Sequence, residues 1–452
     1  MHRYKRYKQS PAVTQTYYIE TFGCQMNKND SELMALSLVE QGFTPAGDVL
    51  AADIAIFNTC SVREHAENRV ISRIRSHRKR IQGRNTVVVV AGCMAQRIGG
   101  ALIEKRIADM VVGPYQSPDI GKLLRRHLAD RSHRLFLSQN ESDFSGRINP
   151  DLYRVSDTPA WHKWVTITHG CENYCSYCIV PFVRGRLISF PSGEILIYIR
   201  ALASRGIKEI TLLGQNVNQY GMDNNDVAFH TLLESAAGVE GIERINFLTS
   251  HPKDFSDDLL RVIRDHHNIT RSIHLPLQSG SDRILNLMNR RYTVTDYMNI
   301  VEKIKHYITR SSLSTDLIVG FPGESEREFE ETLAAVERIR FDDAFTYAYS
   351  PRQGTPAYAL EEELGRDEKI GRLERLIALQ RRIKLQKLNE VIDSVEDSII
   401  ERFSKKSLNR VMGRTFLNHI VIMPGTSEDF GKMIQVKING VAGTTLQGTR
   451  IA

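Results

Sequence analysis

From its N-terminal part to about residue 349, the sequence alternates short apolar segments with amphipathic stretches. The segments TYYIETFGC, ADIAIFNTC and TVVVVAGCM are each typical of a buried strand that runs into a loop. Helical patterns lie between them, as at residues 31–41 and 65–80. Alternation of strand and helix is typical of parallel sheets. We therefore predict an α/β protein whose first part is a parallel α/β domain.

Six further strand–helix units follow in the middle of the chain. The candidate strands cover residues 164–168, 209–213, 244–248, 273–277, 314–319 and 344–349. Helical patterns follow most of them, for example at residues 193–205, 254–265 and 324–339. Six such units predict a partial (β/α)6 barrel rather than a complete eightfold one. Functional residues are expected at the C-terminal ends of its strands, where barrel proteins build their sites.

A charged helix and five short strands make up the last part of the chain. The helix is predicted from Asp367 to about Leu388, and the strands with their polar turns follow from about residue 391. Short strands in this pattern predict a small antiparallel β-barrel. We interpret the polar segment 138–158 as a linker. The expected domains are residues 14–135, 157–372 and 385–452.

Composition favours a cytoplasmic protein with no membrane partner. Apolar residues make up 41% of the chain and charged residues 25%, as in soluble globular proteins. The basic N-terminus has no apolar segment behind it, so we do not expect a signal peptide. The longest apolar run, around Val87–Val90, is far shorter than the roughly 20 residues that cross a bilayer. Six cysteines in 452 residues do not suggest a disulfide scaffold.

Residues 63–84 carry most of the excess positive charge. Eight Arg or Lys and two Glu give this segment +6, against +7 for the whole chain. One interpretation is an ordinary solvated face of a helix. The other is a surface that binds a polyanion, because one sign of charge dominates.

Three cysteines with the spacing CxxxCxxC follow the first predicted barrel strand, at Cys171, Cys175 and Cys178. Cysteine thiolates are the usual ligands of iron–sulfur clusters. Three of them can bind three irons of a 4Fe-4S cluster and leave the fourth iron to another ligand. Structural zinc needs four closed ligands, and His169 lies too close to the strand end to serve readily as the fourth. The pattern favours a cluster over zinc.

Cys24, Cys60 and Cys93 are weak signals individually, since a lone cysteine after a strand is often just buried. Their shared placement is more informative. Each lies one or two residues past a predicted parallel strand, and the C-terminal ends of neighbouring parallel strands converge on one crevice. Three thiols there could hold a second cluster. On spacing alone, a cluster and three separate buried thiols remain equal alternatives.

Ten motifs along the chain, spread over roughly residues 15–450, resemble those of one protein family. They are ETFGCQMNKNDSE, NTCSVREHAEN, AGCMAQR, HGCENYCSYCIVPFVRGR, LLGQNVNQYG, TSHPKDF, HLPLQSGSDRIL, MNRRYT, DLIVGFPGE and YSPRQGTPA. The middle part resembles the radical S-adenosylmethionine (SAM) superfamily, and the whole chain resembles its methylthiotransferases. Three of the motifs are similar to the MiaB branch, the tRNA-2-methylthio-N6-dimethylallyladenosine synthases. The C-terminal barrel resembles a TRAM RNA-binding domain.

This resemblance implies a reaction and its cofactors. Cys171, Cys175 and Cys178 would be catalytic, holding a 4Fe-4S cluster that binds SAM and cleaves it to a 5′-deoxyadenosyl radical. Cys24, Cys60 and Cys93 would hold a second, auxiliary 4Fe-4S cluster that carries the transferred sulfur. One SAM supplies the methyl group, and the radical from another abstracts hydrogen from C2 of N6-(dimethylallyl)adenosine at tRNA position 37. The implied partners are the tRNA anticodon loop, a sulfur source and a low-potential electron donor of the flavodoxin or ferredoxin type.

Five other residues are candidate contacts to SAM. They are Tyr177, Gln278, Ser279, Asp316 and Gly320. Tyr177 could pack on the adenine or could be ordinary loop packing. Gln278 and Ser279 follow a predicted strand and could contact the hydroxyls of SAM or the substrate. Asp316 lies at a predicted strand end, and Gly320 begins a Pro-Gly turn of a kind that is common in any protein.

Other functions also fit parts of the sequence. A related methylthiotransferase modifies an aspartate of a ribosomal protein and shares both cysteine sets. Another modifies threonylcarbamoyladenosine in tRNA. A non-catalytic two-cluster protein that binds RNA or transfers electrons is the alternative from a different class. The basic segment and the MiaB-like motifs favour the tRNA enzyme.

Overall fold

The computed structural model describes residues 15–61, 64–81, 84–137 and 161–451. These form two compact units, one with the described residues up to 137 and one with those from 161 onward. The predicted linker, residues 138–158, lies outside the described residues. No helix in the described part of the chain combines the length and the apolarity needed to span a membrane.

The first unit is built on a six-stranded parallel sheet in the order β2-β1-β3-β4-β5-β6. Its strands are β1 (Thr16–Thr21), β2 (Thr44–Pro45), β3 (Ile54–Thr59), β4 (Val87–Gly92), β5 (Met110–Val112) and β6 (Leu135–Phe136). Its helices are α1 (Gln25–Glu40), α2 (Glu64–Arg80), α3 (Cys93–Glu104) and α4 (Ile120–Ala129). The predicted parallel sheet is confirmed. The three predicted strands are its neighbours β1, β3 and β4.

Helices cover both faces of this sheet, which explains why its central strands are apolar throughout. Alternate side chains of a strand point to opposite faces. Val88 and Val90 of β4 accordingly join one core, together with Val70 and Ile74 of α2. Val87 and Val89 join the other, which also contains side chains of α1 and α4. A strand buried on both faces loses the polar–apolar alternation that marks a solvent-facing sheet.

The second unit begins with eight strands and seven helices. The strands are β7 (His162–Thr166), β8 (Thr168–His169), β9 (Ile188–Ser189), β10 (Glu209–Leu213), β11 (Arg244–Phe247), β12 (Ser272–His274), β13 (Ser312–Val319) and β14 (Asp343–Ala348). The helices are α5 (Val180–Arg184), α6 (Ser192–Ala203), α7 (Phe229–Ala237), α8 (Asp257–Asp265), α9 (Asp282–Leu287), α10 (Val294–Tyr307) and α11 (Glu326–Ile339).

The six predicted barrel strands form two parallel three-stranded sheets instead of one continuous ladder. The sheets have the orders β11-β10-β7 and β12-β13-β14, and β8 pairs separately with β9. A single bridge, Ile245 to Ile269, links the halves. β12 ends at His274, before its predicted end at residue 277. Pro276 lies two residues after His274 and has no N–H to extend a ladder.

A long helix leads into a five-stranded closed barrel. The helix is α12 (Arg366–Glu390), and the strands are β15 (Val395–Ser404), β16 (Ser407–Thr415), β17 (Ile420–Pro424), β18 (Met433–Ala442) and β19 (Thr445–Arg450). The barrel closes in the order β15-β16-β17-β19-β18. The prediction of a purely antiparallel barrel is wrong at one pair, because β17 and β19 run parallel. An odd number of strands cannot alternate in direction all the way around a closed barrel.

This barrel contacts the N-terminal ends of the core strands. The backbone N–H of Arg271 donates to Phe416 O at 3.2 Å, and Ser312 Oγ donates to Leu417 O at 2.6 Å. The buried Arg244 at the start of β11 donates to Arg414 O at 2.9 Å. The barrel is therefore bound at the end of the core opposite the C-terminal strand ends, which leaves those strand ends to the loops.

Candidate functional site

The loop that carries Cys171, Cys175 and Cys178 starts with a glycine that the backbone requires. Gly170 has φ +75°, and a Cβ there would lie 1.7 Å from Arg186 O. The N–H of Cys171 then donates to Gly185 O at 3.1 Å. The chain can therefore pass close to the segment after α5 and turn away from β8 only with glycine at this position.

Hydrogen bonds fix the middle of this loop to the end of α9. The Ser176 N–H donates to Met288 O at 3.0 Å, and its hydroxyl donates to Leu287 O at 2.7 Å. On the other side, the N–H of Ala357 donates to Ser176 O at 2.8 Å. The cysteines on either side of Ser176 are thus held by segments that are distant in sequence.

The environment of the three thiols suits ligands of a positively charged metal group. Cys171 and Cys175 are buried and Cys178 is partly exposed. Burial, with a smaller contribution from the charge of Cys175, raises the pKa of Cys171 to about 11 and that of Cys178 to about 12. Thiolates collected here would repel one another without a cation. An iron–sulfur cluster supplies positive metal ions to such a set, so the residues fit this group.

No three His, Cys, Asp or Glu side chains among the described residues are arranged to hold one metal ion. Thiolates around an iron–sulfur cube bind different irons, so they lie further apart than the ligands of a single ion.

Tyr177 and Gln278 have different surroundings. The Tyr177 ring packs against a buried group that includes Ile284 and Phe321, so the structure gives it a packing role and the adenine contact stays a prediction. Gln278 is buried with φ +72°, an uncommon conformation for a residue other than glycine. Its Oε1 has no hydrogen-bond partner among the described residues. That amide oxygen is available to accept a hydrogen bond from a ligand.

The other predicted SAM contacts already bind protein groups. Ser279 Oγ accepts from the N–H of Ser281 at 3.2 Å. Asp316 Oδ2 lies 3.3 Å from His274 Nε2. The N–H of Gly320 donates to Glu324 Oε2 at 2.6 Å. Of these, Asp316 keeps an exposed fraction of its side chain at the C-terminal half of β13.

Two buried residues near the triad were not singled out from the sequence. Arg290 donates to Cys175 Sγ at 3.2 Å. His251 accepts from the N–H of Lys253 through Nδ1 at 3.3 Å, so its Nε2 carries the proton and has no partner in the described part of the chain. Burial, followed by the charge of Arg290, lowers the pKa of His251 to about 2. The motifs MNRRYT and TSHPKDF contained both residues, but their burial could not be inferred from them.

Cys24, Cys60 and Cys93 follow three adjacent parallel strands, as expected. Cys60 comes directly after β3, and Cys93 directly after β4 as the first residue of α3. The expected spacing is wrong for Cys24, which lies three residues past β1 at the N-cap of α1. A Cβ on Gly23 would lie 2.4 Å from Cys60 Cβ, so the chain just before Cys24 touches Cys60. Helix N-termini favour thiolates. Cys24 lies at the N-terminus of α1, and Cys93 lies at the N-terminus of α3.

The basic segment forms α2, and its cations differ in what they bind. Arg73 pairs with Glu20 at 3.1 Å, and Arg78 pairs with Asp109 at 2.9 Å. Four further exposed cations of α2 form no ion pair with any described residue: Arg69, Arg75, Lys79 and Arg80. Only the last group is a surface of uncompensated charge.

Two families match separate parts of the chain. Residues 16–113 match the family described as "Uncharacterized protein family UPF0004". Residues 165–336 match the radical SAM superfamily. The second match starts within β7 and spans Cys171, Cys175 and Cys178.

Curated relatives are similar over nearly the full length. One from Clostridium tetani is 40% identical over 96% of this chain and 96% of its own, and is named tRNA-2-methylthio-N(6)-dimethylallyladenosine synthase. One from Thermoanaerobacter pseudethanolicus bears the same name and is 42% identical over 96% of this chain and 92% of its own.

Solved structures of radical SAM proteins share the fold at low identity. The methyltransferase TsrM from Kitasatospora setae, with cobalamin and a [4Fe-4S] cluster bound, has a TM-score of 0.54 at 11% identity. That match covers 76% of this chain and 77% of TsrM. The cobalamin-dependent radical enzyme OxsB has a TM-score of 0.52 at 12% identity, over 81% of this chain and 56% of its own. With relatives at 40% identity over 96% of its length, the chain belongs to the tRNA-2-methylthio-N(6)-dimethylallyladenosine synthase family of radical SAM enzymes.

Proposed function

We propose that this protein methylthiolates C2 of N6-(dimethylallyl)adenosine at position 37 of tRNA, beside the anticodon. The observation that carries the proposal is the near-complete match to synthases of that nucleoside, which spans both cysteine sets and the C-terminal barrel. Such a base in an anticodon loop can be unstacked and read by the protein. The substrate also places the enzyme in the cytoplasm, where tRNA is modified.

The radical SAM family brings an iron–sulfur cluster and SAM to this chain. We assign Cys171, Cys175 and Cys178 as the ligands of that 4Fe-4S cluster, since one short loop carries all three thiols and two of them are buried. With SAM bound, the cluster supplies radical chemistry at a C–H bond that acid–base groups cannot activate. The protein's part is to hold the thiols, to bury them and to orient SAM. For the last role we retain Tyr177, Gln278, Ser279, Asp316 and Gly320, with Gln278 favoured by its unpartnered amide oxygen.

We assign Cys24, Cys60 and Cys93 to a second 4Fe-4S cluster that carries the sulfur. Their placement after three adjacent parallel strands supports this assignment. The corresponding domain bounds are residues 14–135, 157–372 and 385–452, with the last as a TRAM-type RNA-binding barrel. A low-potential flavodoxin or ferredoxin would supply electrons, and a separate sulfur source would replenish the cluster.

The reaction is tested with anaerobically reconstituted protein, SAM, dithionite and tRNA that contains N6-(dimethylallyl)adenosine. Mass spectrometry of the digested tRNA should show the 2-methylthio nucleoside, together with 5′-deoxyadenosine. tRNA with threonylcarbamoyladenosine and intact ribosomes serve as the competing substrates. Methylthiolation of either competitor, with none of the first tRNA, would refute the proposal. Absence of 5′-deoxyadenosine would favour the non-catalytic alternative.

The exposed cations of α2 are the proposed contact to tRNA phosphates. Arg73 and Arg78 pair with carboxylates of their own unit, so reversing them would also break those contacts. Arg75→Glu with Lys79→Glu is the cleaner variant. It should weaken tRNA binding and reduce the slope of log affinity against log salt by about one for each lost contact. Lys305→Glu with Arg338→Glu is the matched control, because it reverses two exposed cations of the second unit that form no ion pair with a described residue. Equal salt slopes in both variants would make α2 a solvated face.

A further inference from the structure

Arg290 is a buried cation whose donors all point at the triad loop or at its supports. Only 4% of the surface of Arg290 is exposed. One terminal nitrogen donates to Cys175 Sγ at 3.2 Å and the other to Pro276 O at 3.1 Å. Its Nε donates to the Tyr292 hydroxyl at 3.1 Å. That hydroxyl in turn donates to Leu277 O at 2.8 Å, so the guanidinium is held in one position.

No carboxylate among the described residues forms an ion pair with Arg290, which distinguishes it from the buried arginines Arg244 and Arg372. Arg244 is 1% exposed and faces Glu209 at 3.7 Å. Arg372 is 3% exposed and lies 2.9 Å from Glu324. A buried charge is costly unless an opposite charge accompanies it. The contacts of Arg290 are two tyrosine hydroxyls, a carbonyl oxygen and the Cys175 thiol. Of these, only the thiol would become an anion by binding a metal.

We propose that Arg290 is a positioning residue whose guanidinium donates to the Cys175 thiolate and makes the cluster held by the triad easier to reduce. The inference rests on the proposed role of Cys175 as a cluster ligand. The thiolates are the counter-charge that the protein itself does not provide to Arg290. Tyr177 belongs to the same arrangement, because its hydroxyl lies 3.5 Å from the guanidinium.

The direction of the effect follows from charge. Reduction adds one electron, here from dithionite, to the oxidised cluster, and no covalent bond forms or breaks. A fixed positive charge and a hydrogen bond to sulfur both stabilise the more negative, reduced form. Removing them should lower the potential. Enzymes that depend on a low-potential electron donor gain from such a cation, because it narrows the potential gap that the donor must cover.

The test uses the full chain with Cys24, Cys60 and Cys93 all replaced by alanine, so that only the triad's cluster remains. Redox titrations followed by electron paramagnetic resonance compare Arg290→Gln with the parent. At a fixed potential, the ratio of reduced to oxidised cluster should fall about tenfold, which is ~59 mV for a one-electron couple. Arg291→Gln is the matched control, because the neighbouring arginine is exposed. It should leave the midpoint unchanged.

An Arg290→Gln protein with normal iron content and the parent midpoint would overturn the inference. If this variant does not assemble a cluster, Arg290→Lys decides, because lysine restores the charge without the planar fork. Recovery of iron by lysine supports the role of charge, and failure of lysine as well overturns it. Cys175→Ala in the same background tests the underlying assignment separately. Retention of its cluster would refute Cys175 as a ligand, whatever the Arg290 variants do.

Discussion

The two cysteine sets present three thiols each, but they do so in opposite ways. Cys171, Cys175 and Cys178 lie on one loop, and hydrogen bonds such as Ser176 N–H to Met288 O fix that loop to the core. Cys24, Cys60 and Cys93 come from the ends of separate strands, β1, β3 and β4, which are neighbours in the sheet. The first set is local in sequence and the second is a product of sheet topology. Their sensitivity to mutation should therefore differ.

Both cysteine sets contain a cysteine that directly follows a glycine with positive φ. Three of the six cysteines follow a glycine with positive φ: Gly23 at +110°, Gly92 at +89° and Gly170 at +75°. Each glycine turns the chain out of a strand and lets it pass close to a neighbouring segment. The turn therefore aims the next side chain. Cys60 follows Thr59 instead, at the directly extended end of the central strand β3.

The largest expected effect separates the two sets by product. Cys171→Ala should reduce 5′-deoxyadenosine to the background of the apo-protein, because the triad is the proposed SAM site. Cys60→Ala should keep SAM cleavage and abolish 2-methylthio product, and each variant should lose about half of the iron if two equal clusters are present. Iron analysis with chromatography of both products measures this. Loss of 5′-deoxyadenosine in both variants would break the comparison.

Gly170→Ala should disrupt the loop of Cys171, Cys175 and Cys178 almost as severely as Cys171→Ala does. Its Cβ would lie 1.7 Å from Arg186 O, so the backbone of one segment must move. Gly206→Ala is the control, since its φ is +84° but no atom lies within 4 Å of the added Cβ. That control should cost only about 1–2 kcal/mol of unfolding free energy. Fluorescence of Trp161 and Trp164, both in the same unit, follows unfolding in urea, and iron content reports the site. Equal losses in the two variants would remove the steric argument.

Gly23→Ala should affect only the site proposed for Cys24, Cys60 and Cys93. The new Cβ would lie 2.4 Å from Cys60 Cβ, so it should separate two of the three proposed ligands. Gly42→Ala has a similar φ of +78° and meets only an arginine nitrogen at 3.6 Å. We expect Gly23→Ala to lose the methylthio product while it still forms 5′-deoxyadenosine. Gly42→Ala should retain both, and a full auxiliary cluster in Gly23→Ala would contradict the proposed convergence.

The smallest effect is expected for Ser176→Ala. The change removes the hydroxyl bond to Leu287 O but leaves the backbone bond to Met288 O. The loss should be about 1 kcal/mol, typical of one hydrogen bond, with the triad's iron content unchanged. Urea unfolding by tryptophan fluorescence and iron analysis check both parts. Loss of iron would show that the loop of Cys171, Cys175 and Cys178 depends on its side-chain contacts. That dependence would be as strong as the dependence of the other cysteine set on sheet topology.

Much of the fold could be predicted because strands and amphipathic helices leave periodic patterns. β10 occupies the predicted residues 209–213, and α2 begins one residue before its predicted start. The prediction was poorer for strands that show no periodic pattern and for the pairing between strands. β2, β5 and β6 have two or three residues each, too few to show a pattern. The parallel closure of the last barrel is a property of strand count, which no single segment displays.

The sequence by itself determined the chemistry of the ligands: six cysteines, three of them in one short motif, and a parallel α/β framework with strand ends that can hold them. Only the tertiary structure decided which side chains stand beside those thiols. Arg290 lies 115 residues from Cys175 in sequence, yet its guanidinium donates to that sulfur. The reason is physical. A motif specifies residue types along the chain, whereas burial and counter-charge depend on segments that meet only when the chain folds.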